Sequence, residues 1–275
     1  MRVLNERLME EMLRPENLRV AWQAVKANRG AAGIDGISVE AFEEHIRPHW
    51  PKVRAKILEG RYKPAPVKRV YIPKGNGGRR PLGIPTVLDR MLQQAMLQVL
   101  QPRFEPQFSE HSYGFRPGRS AHDAVTAAQR FIAEDKDWVV DIDMRSFFDE
   151  VNHDLLMYRV AQVIRDKDLL KRIGRYLRAG VYEEGKKTAT TRGVPQGGPL
   201  SPFLANIYLD ALDKELESRG LSFCRYADDC NISVGSRKSA ERVFASVTAW
   251  IEKHLKLPIH RDKRDAWLVD TSPSP

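Results

Sequence analysis

The sequence predicts an α+β fold, and two features of it lead to that prediction. Helical and strand patterns are interspersed along the 275 residues without the regular strand–helix–strand alternation of a parallel α/β protein. Short apolar strands at 138–144 and 223–234 lie between long segments whose apolar residues recur at helical spacing. No internal repeat and no Gly/Ser linker divides the chain, so these elements belong to one large domain or two small ones.

The N-terminal part is predicted to be helical. Residues 7–28 and 38–58 have helical apolar spacing, although Pro48 and Pro51 should bend or break the second segment. A Gly-rich loop at 30–36 separates the two segments.

The remaining elements follow from periodicity and turn residues. Ser120 and Asp123 form a capping box that begins a helix ending near Glu134. The segment 223–234 predicts two short strands around a tight turn. The other predicted elements are a strand at 66–73, a turn at 74–78, a hairpin at 181–191, and helices at 86–101, 153–164, 167–179, 200–218 and 238–254.

The charge distribution predicts a polyanionic partner. The formal net charge is +9 and the sequence pI is about 9.6. The segment 52–80 holds ten Lys or Arg residues and one acid, Glu59. A solvated face usually mixes both signs, so this run favours a surface that faces phosphates.

Composition also argues against several classes of protein. No apolar run of about 18 residues is present, so no transmembrane helix is expected. The charged segment 1–14 lacks the apolar core of a secretory signal. Cys224 and Cys230 suit neither a disulfide framework nor a zinc site. We therefore expect a cytoplasmic protein in which both cysteines are small apolar residues.

Two apolar segments bear acids that suggest metal chemistry. Alternation places Asp141 and Asp143 on one face of their strand, and Asp228 and Asp229 lie at the tip of the 223–234 hairpin. Adjacent Asp residues can also be simple turn formers. Nucleotidyl transfer uses two hard cations about 3.5–4 Å apart, and Mg²⁺ prefers oxygen ligands. Three carboxylates from two neighbouring strands suit that chemistry, provided that Asp143 lies close to the hairpin tip.

Five collinear blocks give the chain a specific resemblance to one family. The tetrapeptide Tyr-Ala-Asp-Asp at 226–229 resembles the signature of reverse transcriptases, and Asp143, which precedes an aromatic pair, resembles their first catalytic aspartate. Three further blocks resemble bacterial group II intron-encoded reverse transcriptase/maturases, at 71–90, 113–122 and 193–206. The resemblance implies the fingers and palm of a right-hand polymerase, with an antiparallel palm sheet backed by helices and a helical N-terminal extension.

The resemblance also implies the chemistry. The expected activity is that of an RNA-directed DNA polymerase, a nucleotidyltransferase that extends a primer 3′-OH with two Mg²⁺ ions, for which Mn²⁺ can substitute. Asp143, Asp228 and Asp229 are then the catalytic residues and metal ligands, with the backbone carbonyl of Met144 as an additional ligand. Asp141 is the rival of Asp143 for this role.

Further site residues are assigned by the same resemblance. Phe148 matches a steric gate that selects deoxyribose, although it could instead be simple core. Gln196 is expected to contact the incoming nucleotide, and Lys74 and Arg80 its triphosphate, with Arg79 as a rival for that contact. The residues assigned to the template or RNA are Lys68, Arg69, Arg79, Arg116 and Arg119.

The implied partners are an RNA template with a DNA or RNA primer, dNTPs and group II intron RNA. Two alternatives stay open. One is a truncated, non-catalytic RNA-binding module, and the other is a reverse transcriptase of a defence or diversity-generating system.

Three domains are predicted along the chain. They are an N-terminal extension at 1–62, fingers and palm at 63–265, and a disordered tail at 266–275. The loop at 30–36 in the extension either covers the template or is an interhelical turn. The primer-grip motif of the family is missing after 257–264, so we expect the thumb to be absent and the chain to be a fragment or a truncated product.

Overall fold

The computed structural model describes residues 7–73 and 78–260 and the backbone of 266–268. The chain folds into two compact units, one formed by 1–106 with 152–204 and the other by 107–151 with 205–275. The boundaries predicted from sequence divide the chain consecutively instead, and they stay predictions. Among the described residues, no helix is both long enough and apolar enough to cross a bilayer.

Helices and strands alternate irregularly along the chain, which confirms the α+β class. The helices are α1 (Leu8–Met12), α2 (Pro15–Ala27), α3 (Val39–Leu58), α4 (Val87–Phe104), α5 (Ala121–Ala133), α6 (Phe147–Glu150), α7 (His153–Val163), α8 (Lys167–Leu177), α9 (Leu200–Ser218) and α10 (Arg237–His254). The strands are β1 (Val67–Pro73), β2 (Arg79–Ile84), β3 (Trp138–Asp143), β4 (Val181–Glu183), β5 (Lys186–Thr188), β6 (Ser222–Tyr226), β7 (Asp229–Val234) and β8 (Ala266–Leu268).

The first unit places α1, α2 and α3 against the buried helix α4. Helix α3 continues without interruption through Pro48 and Pro51, so the predicted break is wrong there. Buried Phe42 and Ile57 lie on either side of the two prolines, and this packing offsets the hydrogen bonds that proline cannot make. Arg90 of α4 donates to the carbonyl of Ala31 at 2.7 Å, which favours an interhelical turn for the Gly-rich loop.

The first unit also contains a small mixed sheet with strand order β2-β1-β4-β5. Strands β1 and β2 are antiparallel, and β1 runs parallel to β4. The hairpin β4–β5 turns at Glu184 and Gly185, as the sequence predicts. The sequence did not predict β2, because it contains a proline and a glycine that weaken the strand signal.

The second unit is built on an antiparallel sheet with strand order β6-β7-β3-β8. Helices α5 and α10 pack against this sheet, and α5 begins with the predicted Ser120–Asp123 capping box. The core face of β3 buries Val140 and Ile142. Three residues of the predicted disordered tail form β8, which pairs with β3 at 138–140, whereas 269–275 lie outside the described residues.

Both cysteines lie in this second sheet as free, buried side chains. Burial raises the pKa of the Cys224 thiol to about 11. Burial likewise raises the pKa of the Cys230 thiol. Both thiols are therefore protonated and unreactive near neutral pH, which agrees with their predicted role as small apolar residues.

Candidate active site

Asp143 and Asp229 are direct cross-strand neighbours. Strand β3 pairs antiparallel with β7 in a register that sets Ile142 opposite Cys230 and Asp143 opposite Asp229. Side chains opposite each other in such a pair lie on the same face of the sheet. Asp228 immediately precedes Asp229, so the backbone brings three carboxylates to one edge of one sheet.

The hydrogen-bond pattern shows which kind of pair Asp143 and Asp229 form. The carbonyl of Asp143 accepts from the N–H of His260 at 3.1 Å, on the side of β3 away from β7. Because the N–H and C=O of one antiparallel residue point to the same side, Asp143 and Asp229 form a non-hydrogen-bonded pair. Opposite Cα atoms in such pairs are about 4.5 Å apart, the closer of the two alternating spacings.

The direction of the Met144 backbone carbonyl follows from the same alternation. The residue after Asp143 directs its N–H and C=O to the opposite side, which is the side of β7 and the hairpin tip. Met144 itself is buried and forms an isolated bridge with Ile259. This orientation supports the predicted ligand role of the Met144 carbonyl, which stays a prediction.

The rival carboxylate Asp141 lies two residue pairs further from the tip, opposite Asn231. It shares the face of Asp143 but has no acid across from it. Register therefore favours Asp143 over Asp141 as the partner of the hairpin acids.

The hairpin tip is a two-residue turn formed by Ala227 and Asp228 between the paired residues Tyr226 and Asp229. Ala227 has a φ of 58°, a positive value of the kind that tight two-residue hairpin turns require at their first central position. Glycine is the usual residue there, and an alanine costs about 1–2 kcal/mol more. The tip is thus a strained turn that the surrounding structure must hold in place.

The donor set fits hard divalent cations, although the described residues contain no group of three His, Cys, Asp or Glu side chains arranged to hold a metal. Like charges repel in the absence of a cation, so three carboxylates do not converge on one point by themselves. The backbone register supplies the proximity, and carboxylate and carbonyl oxygens are the ligands that Mg²⁺ prefers.

A buried arginine lies directly behind the tip, and the sequence did not single it out. Arg225 is fully buried and forms a two-pronged ion pair with buried Asp213 of α9, with both N–O distances 2.6 Å. Its other N–H groups donate to the side chains of Asn206 (2.9 Å) and Ser112 (2.7 Å) and to the carbonyl of Ala227 (2.8 Å). All five N–H donors of the guanidinium are therefore used.

The charge of Arg225 is secured by this environment. Burial on its own would lower the pKa of the guanidinium, but the adjacent Asp213 carboxylate outweighs burial, and the net effect raises the pKa of Arg225. The guanidinium of Arg225 therefore stays positively charged in the folded protein.

The loop before α5 contacts the same tip. The backbone of Arg225 bonds in both directions to this loop, accepting from Tyr113 and donating to His111, each at 2.8 Å. Asn206 donates to the carbonyl of Gly114 at 2.9 Å. A Cβ added to Gly114 would collide with the backbone nitrogen of Ala227, so glycine is required for this close approach.

Phe147 and Phe148, the aromatic pair that follows Asp143, differ in burial. Phe147 is fully buried, whereas Phe148 is half-buried and meets Phe147 edge-on at 5.1 Å between ring centres. Ser146, with a φ of 49°, turns the chain from β3 into the short helix α6 that presents both rings. Phe148 therefore keeps an accessible surface five residues beyond Asp143.

Gln196 lies in the first unit, where its backbone has a structural contact. Its carbonyl accepts from the N–H of Gly83 at 2.6 Å, which ties the 193–198 segment to β2. Gly197, with a φ of 127°, leaves no space for a Cβ beside the Gly83 carbonyl. The Gln196 side chain is half-buried, and its nucleotide contact stays a prediction.

The predicted cations of the first unit lie on the hairpin β1–β2. Arg79 and Arg80 are exposed on β2, opposite Pro73 and Ile72. Lys68 is exposed and Arg69 half-buried on β1. Lys74 lies outside the described residues.

The two arginines of the 113–122 block have partners within that loop. Arg116 is buried, donates to the carbonyls of Ser109 (2.5 Å) and Ser112 (2.7 Å), and lies 5.4 Å from the centre of the Phe108 ring. Arg119 donates to the carbonyl (2.6 Å) and carboxylate (2.7 Å) of Glu110. Burial favours a structural role for Arg116, and template contacts by both arginines stay predictions.

Comparison with protein families identifies the class to which this fold and site belong. The profile described as reverse transcriptase (RNA-dependent DNA polymerase) matches residues 72–272. The match covers well over half of the chain, so the chain belongs to the reverse transcriptase family. That family acts on a nucleic-acid template and primer and generally uses Mg²⁺.

Individual relatives narrow the class. Protein YkfC of Escherichia coli K12 is 34% identical over 298 residues, which cover 94% of this chain and 78% of that protein. The group II intron-encoded protein LtrA of Lactococcus lactis is 39% identical over 223 residues, which cover 80% of this chain and 36% of LtrA. A putative COX1/OXI3 intron 2 protein of Saccharomyces cerevisiae is 30% identical, with 78% of this chain and 25% of that protein covered.

These relatives make the chain a reverse transcriptase of the group II intron type, with maturase ancestry, and confirm the resemblance seen in the sequence. The match spans only about a third or less of the two intron-encoded proteins. Among solved structures, a chain of a partial Cas6-RT-Cas1–Cas2 complex has a TM-score of 0.57 and 24% identity, covering 90% of this chain and 43% of that one. This likeness shows a shared fold alone.

Proposed function

We propose that this chain itself catalyses RNA-directed DNA synthesis, adding deoxynucleotides to a primer 3′-OH, with Asp143, Asp228 and Asp229 as the ligands of two divalent cations. One observation supports this above all others. The acid at the end of β3 is the direct cross-strand neighbour of an acid at the hairpin tip, with a second tip acid adjacent.

The chemistry required of this site is in-line attack of the primer oxygen on the α-phosphate of the nucleotide, with pyrophosphate leaving. Bound Mg²⁺ or Mn²⁺ supplies activation of the attacking oxygen and neutralisation of the leaving phosphates. The carboxylates hold these cations on the face of the sheet that carries Asp143 and Asp229, with the Met144 carbonyl as a further ligand. Asp143 and Asp229 extend from a rigid two-strand ladder, which suits a reaction that depends on positioning.

The remaining predicted residues take supporting roles in this proposal. Phe148 restricts the 2′ position of the incoming sugar, and Gln196 contacts the nucleotide. The triphosphate is held by Arg80 and Lys74, with Arg79 as the rival. The phosphates of the RNA template meet exposed cations at Lys68 and Arg69, and group II intron RNA is the natural RNA partner of a chain with this ancestry.

Primer extension on poly(rA)/oligo(dT) with dTTP and Mg²⁺ tests the activity. We expect labelled DNA product from the wild-type chain, and a loss of at least 100-fold in kcat for Asp143→Asn and for Asp228→Asn. Asp141→Asn is the matched control, because it removes a carboxylate from the same face of the same strand, two residue pairs further from the tip.

Two results would contradict the proposal. Salt-sensitive RNA binding without any product would leave a non-catalytic RNA-binding module. A loss of product in Asp141→Asn together with full activity in Asp143→Asn would show that the metal ligand on β3 is Asp141 and that the assignment to Asp143 is wrong.

A further inference from the structure

We infer that Arg225 is a positioning residue for the carboxylate tip, an inference that rests on the proposed polymerase function. Its guanidinium holds the carbonyl of Ala227, which belongs to the peptide group that leads directly into Asp228. Fixing that peptide fixes the direction in which the chain enters Asp228 and Asp229. Arg225 itself is fully buried and therefore touches neither nucleic acid nor nucleotide.

The need for such a residue comes from the turn. Ala227 has a left-handed φ of 58° without being a glycine, and a strained conformation of this kind persists only where the surroundings determine it. A flexible tip would let the two acids sample positions that do not match Asp143. An error of about 1 Å in such a constellation can cost about 100-fold in rate.

The anchor of the arginine is rigid. Asp213 and Asn206 are seven residues apart on α9, which places them on one face of the helix, two turns apart. Asp213 accepts two bonds from the guanidinium and Asn206 accepts one, and both side chains are buried. The planar guanidinium therefore holds the carbonyl of the turn at a fixed position relative to α9. A single ammonium group cannot make the same set of bonds.

The other side of the turn is held by the loop before α5. Ser112 accepts from the guanidinium, and Asn206 links Arg225 to the carbonyl of Gly114. Gly114 in turn packs without clearance against the backbone nitrogen of Ala227. Arg225 thus connects two separate segments of the second unit, helix α9 and the loop before α5, to one peptide group of the tip.

The test compares variants that keep the fold but lose the geometry. Removing only one partner of a buried ion pair leaves an isolated charge, so the first variant is the double replacement Arg225→Met/Asp213→Leu, which removes both charges. The second is Arg225→Lys, which keeps a buried positive charge beside Asp213. Arg172→Lys is the matched control, because Arg172 is equally buried and donates to the carbonyls of Tyr62 and Ile57 in the first unit.

Two assays are run on the full chain after circular dichroism has given the folded fraction and the thermal midpoint of each variant. Primer extension on poly(rA)/oligo(dT) gives kcat and KM for dTTP. Electron paramagnetic resonance gives the Kd for Mn²⁺, which does not depend on turnover. We expect kcat to fall by about 100-fold in the double variant and less in Arg225→Lys, with KM for dTTP nearly unchanged and the Kd for Mn²⁺ raised. Arg172→Lys should lower the thermal midpoint alone.

The outcomes separate this inference from the proposed function. A wild-type chain that binds Mn²⁺ but makes no DNA would remove the polymerase proposal, while the Mn²⁺ comparison would still decide whether Arg225 positions the acids. Wild-type kcat and wild-type Mn²⁺ affinity in the folded variants would overturn the positioning role. An equal loss of kcat in Arg172→Lys would show that the effect is general destabilisation.

Discussion

At the scale of single residues, substitution of Phe148 tests whether the aromatic pair after β3 selects the sugar of the incoming nucleotide. The Phe148 ring is half-buried and meets the fully buried Phe147 edge-on. On the proposed gate role, Phe148→Ala removes the ring that excludes a 2′-hydroxyl, so we expect the kcat/KM ratio of rUTP to dUTP to rise by about tenfold or more. Single-nucleotide extension with each substrate measures this ratio.

The neighbouring ring supplies the control. Phe147→Ala empties a core position and should destabilise the fold by about 3–5 kcal/mol, because a buried phenyl ring is lost. The sugar preference of the molecules that remain folded should be unchanged. If Phe148→Ala left sugar discrimination at the wild-type level, Phe148 would be an ordinary core residue.

Residues of the site differed in how well the sequence predicted them. Acids at the ends of apolar strands drew attention to both acidic segments, and the resemblance to reverse transcriptases selected Asp143, Asp228 and Asp229. The register sets Asp143 directly opposite Asp229. Arg225 and Asp213 could not be selected, because their pairing is a tertiary contact across twelve residues of sequence. The available signal was an arginine within an apolar strand, a position where a charge needs a buried partner.

At the scale of elements, the contact between the 111–114 loop and the hairpin β6–β7 leads to a prediction for the substitution of Gly114. A methyl group at this position would push against the backbone of Ala227 and displace the tip. We expect Gly114→Ala to reduce kcat in primer extension by about tenfold to 100-fold, with RNA affinity close to wild type.

Gly118→Ala in the same loop is the comparison for this substitution. Gly118 has a φ of 70° and open space around it, so alanine there costs about 1 kcal/mol of backbone strain without touching the hairpin. Full activity in Gly114→Ala, measured by the same assay, would mean that the loop can move away from the tip without consequence.

A second prediction at this scale concerns His153 of helix α7 and the dependence of folding stability on pH. Burial lowers the pKa of His153, and its Nε2 lies 2.7 Å from the carbonyl of Gly193, to which it can only donate. Because the folded pKa lies below the unfolded value of about 6.5, this contribution to stability is present above pH 6.5 and is lost as the pH falls.

Urea unfolding at pH 7.5 and at pH 5.5 measures the loss. The wild-type midpoint should fall between the two conditions, and His153→Gln, which keeps an N–H donor but cannot titrate, should show a smaller fall. His122→Gln is the control, since His122 is exposed on α5. An identical fall in wild type and His153→Gln would remove His153 as the cause.

The elements themselves were predictable to different degrees. Long helices such as α4 and α10 are found within a few residues of their predicted ends, because the apolar period extends over many turns. Strand β2 was missed because its proline and glycine weaken the strand signal. Strand β8 was missed because a strand of three residues gains its stability from a neighbour, β3, that is distant in sequence. The predicted bend or break of α3 at Pro48 and Pro51 also failed because of tertiary contacts, since packing maintains the helix through both prolines.

At the scale of the whole molecule, the net charge of +9 raises the question of whether RNA affinity depends on total charge or on the placement of charge. Ten of the basic residues lie in the segment 52–80, where Lys68 is exposed and Arg69 half-buried on β1. If this segment meets phosphates, each lost contact should reduce the slope of log K against log salt by about 0.7 on single-stranded RNA.

The double variant Lys68→Ala/Arg69→Ala should therefore bind RNA more weakly at 50 mM salt than wild type and show a salt slope shallower by about 1.4. Lys238→Ala/Lys253→Ala removes the same charge from exposed positions on α10 and should leave the slope unchanged. Fluorescence anisotropy of a labelled RNA at several salt concentrations gives both slopes. Equal changes in the two variants would show that the effect follows net charge, and the segment 52–80 would lose its assignment as the phosphate-binding surface.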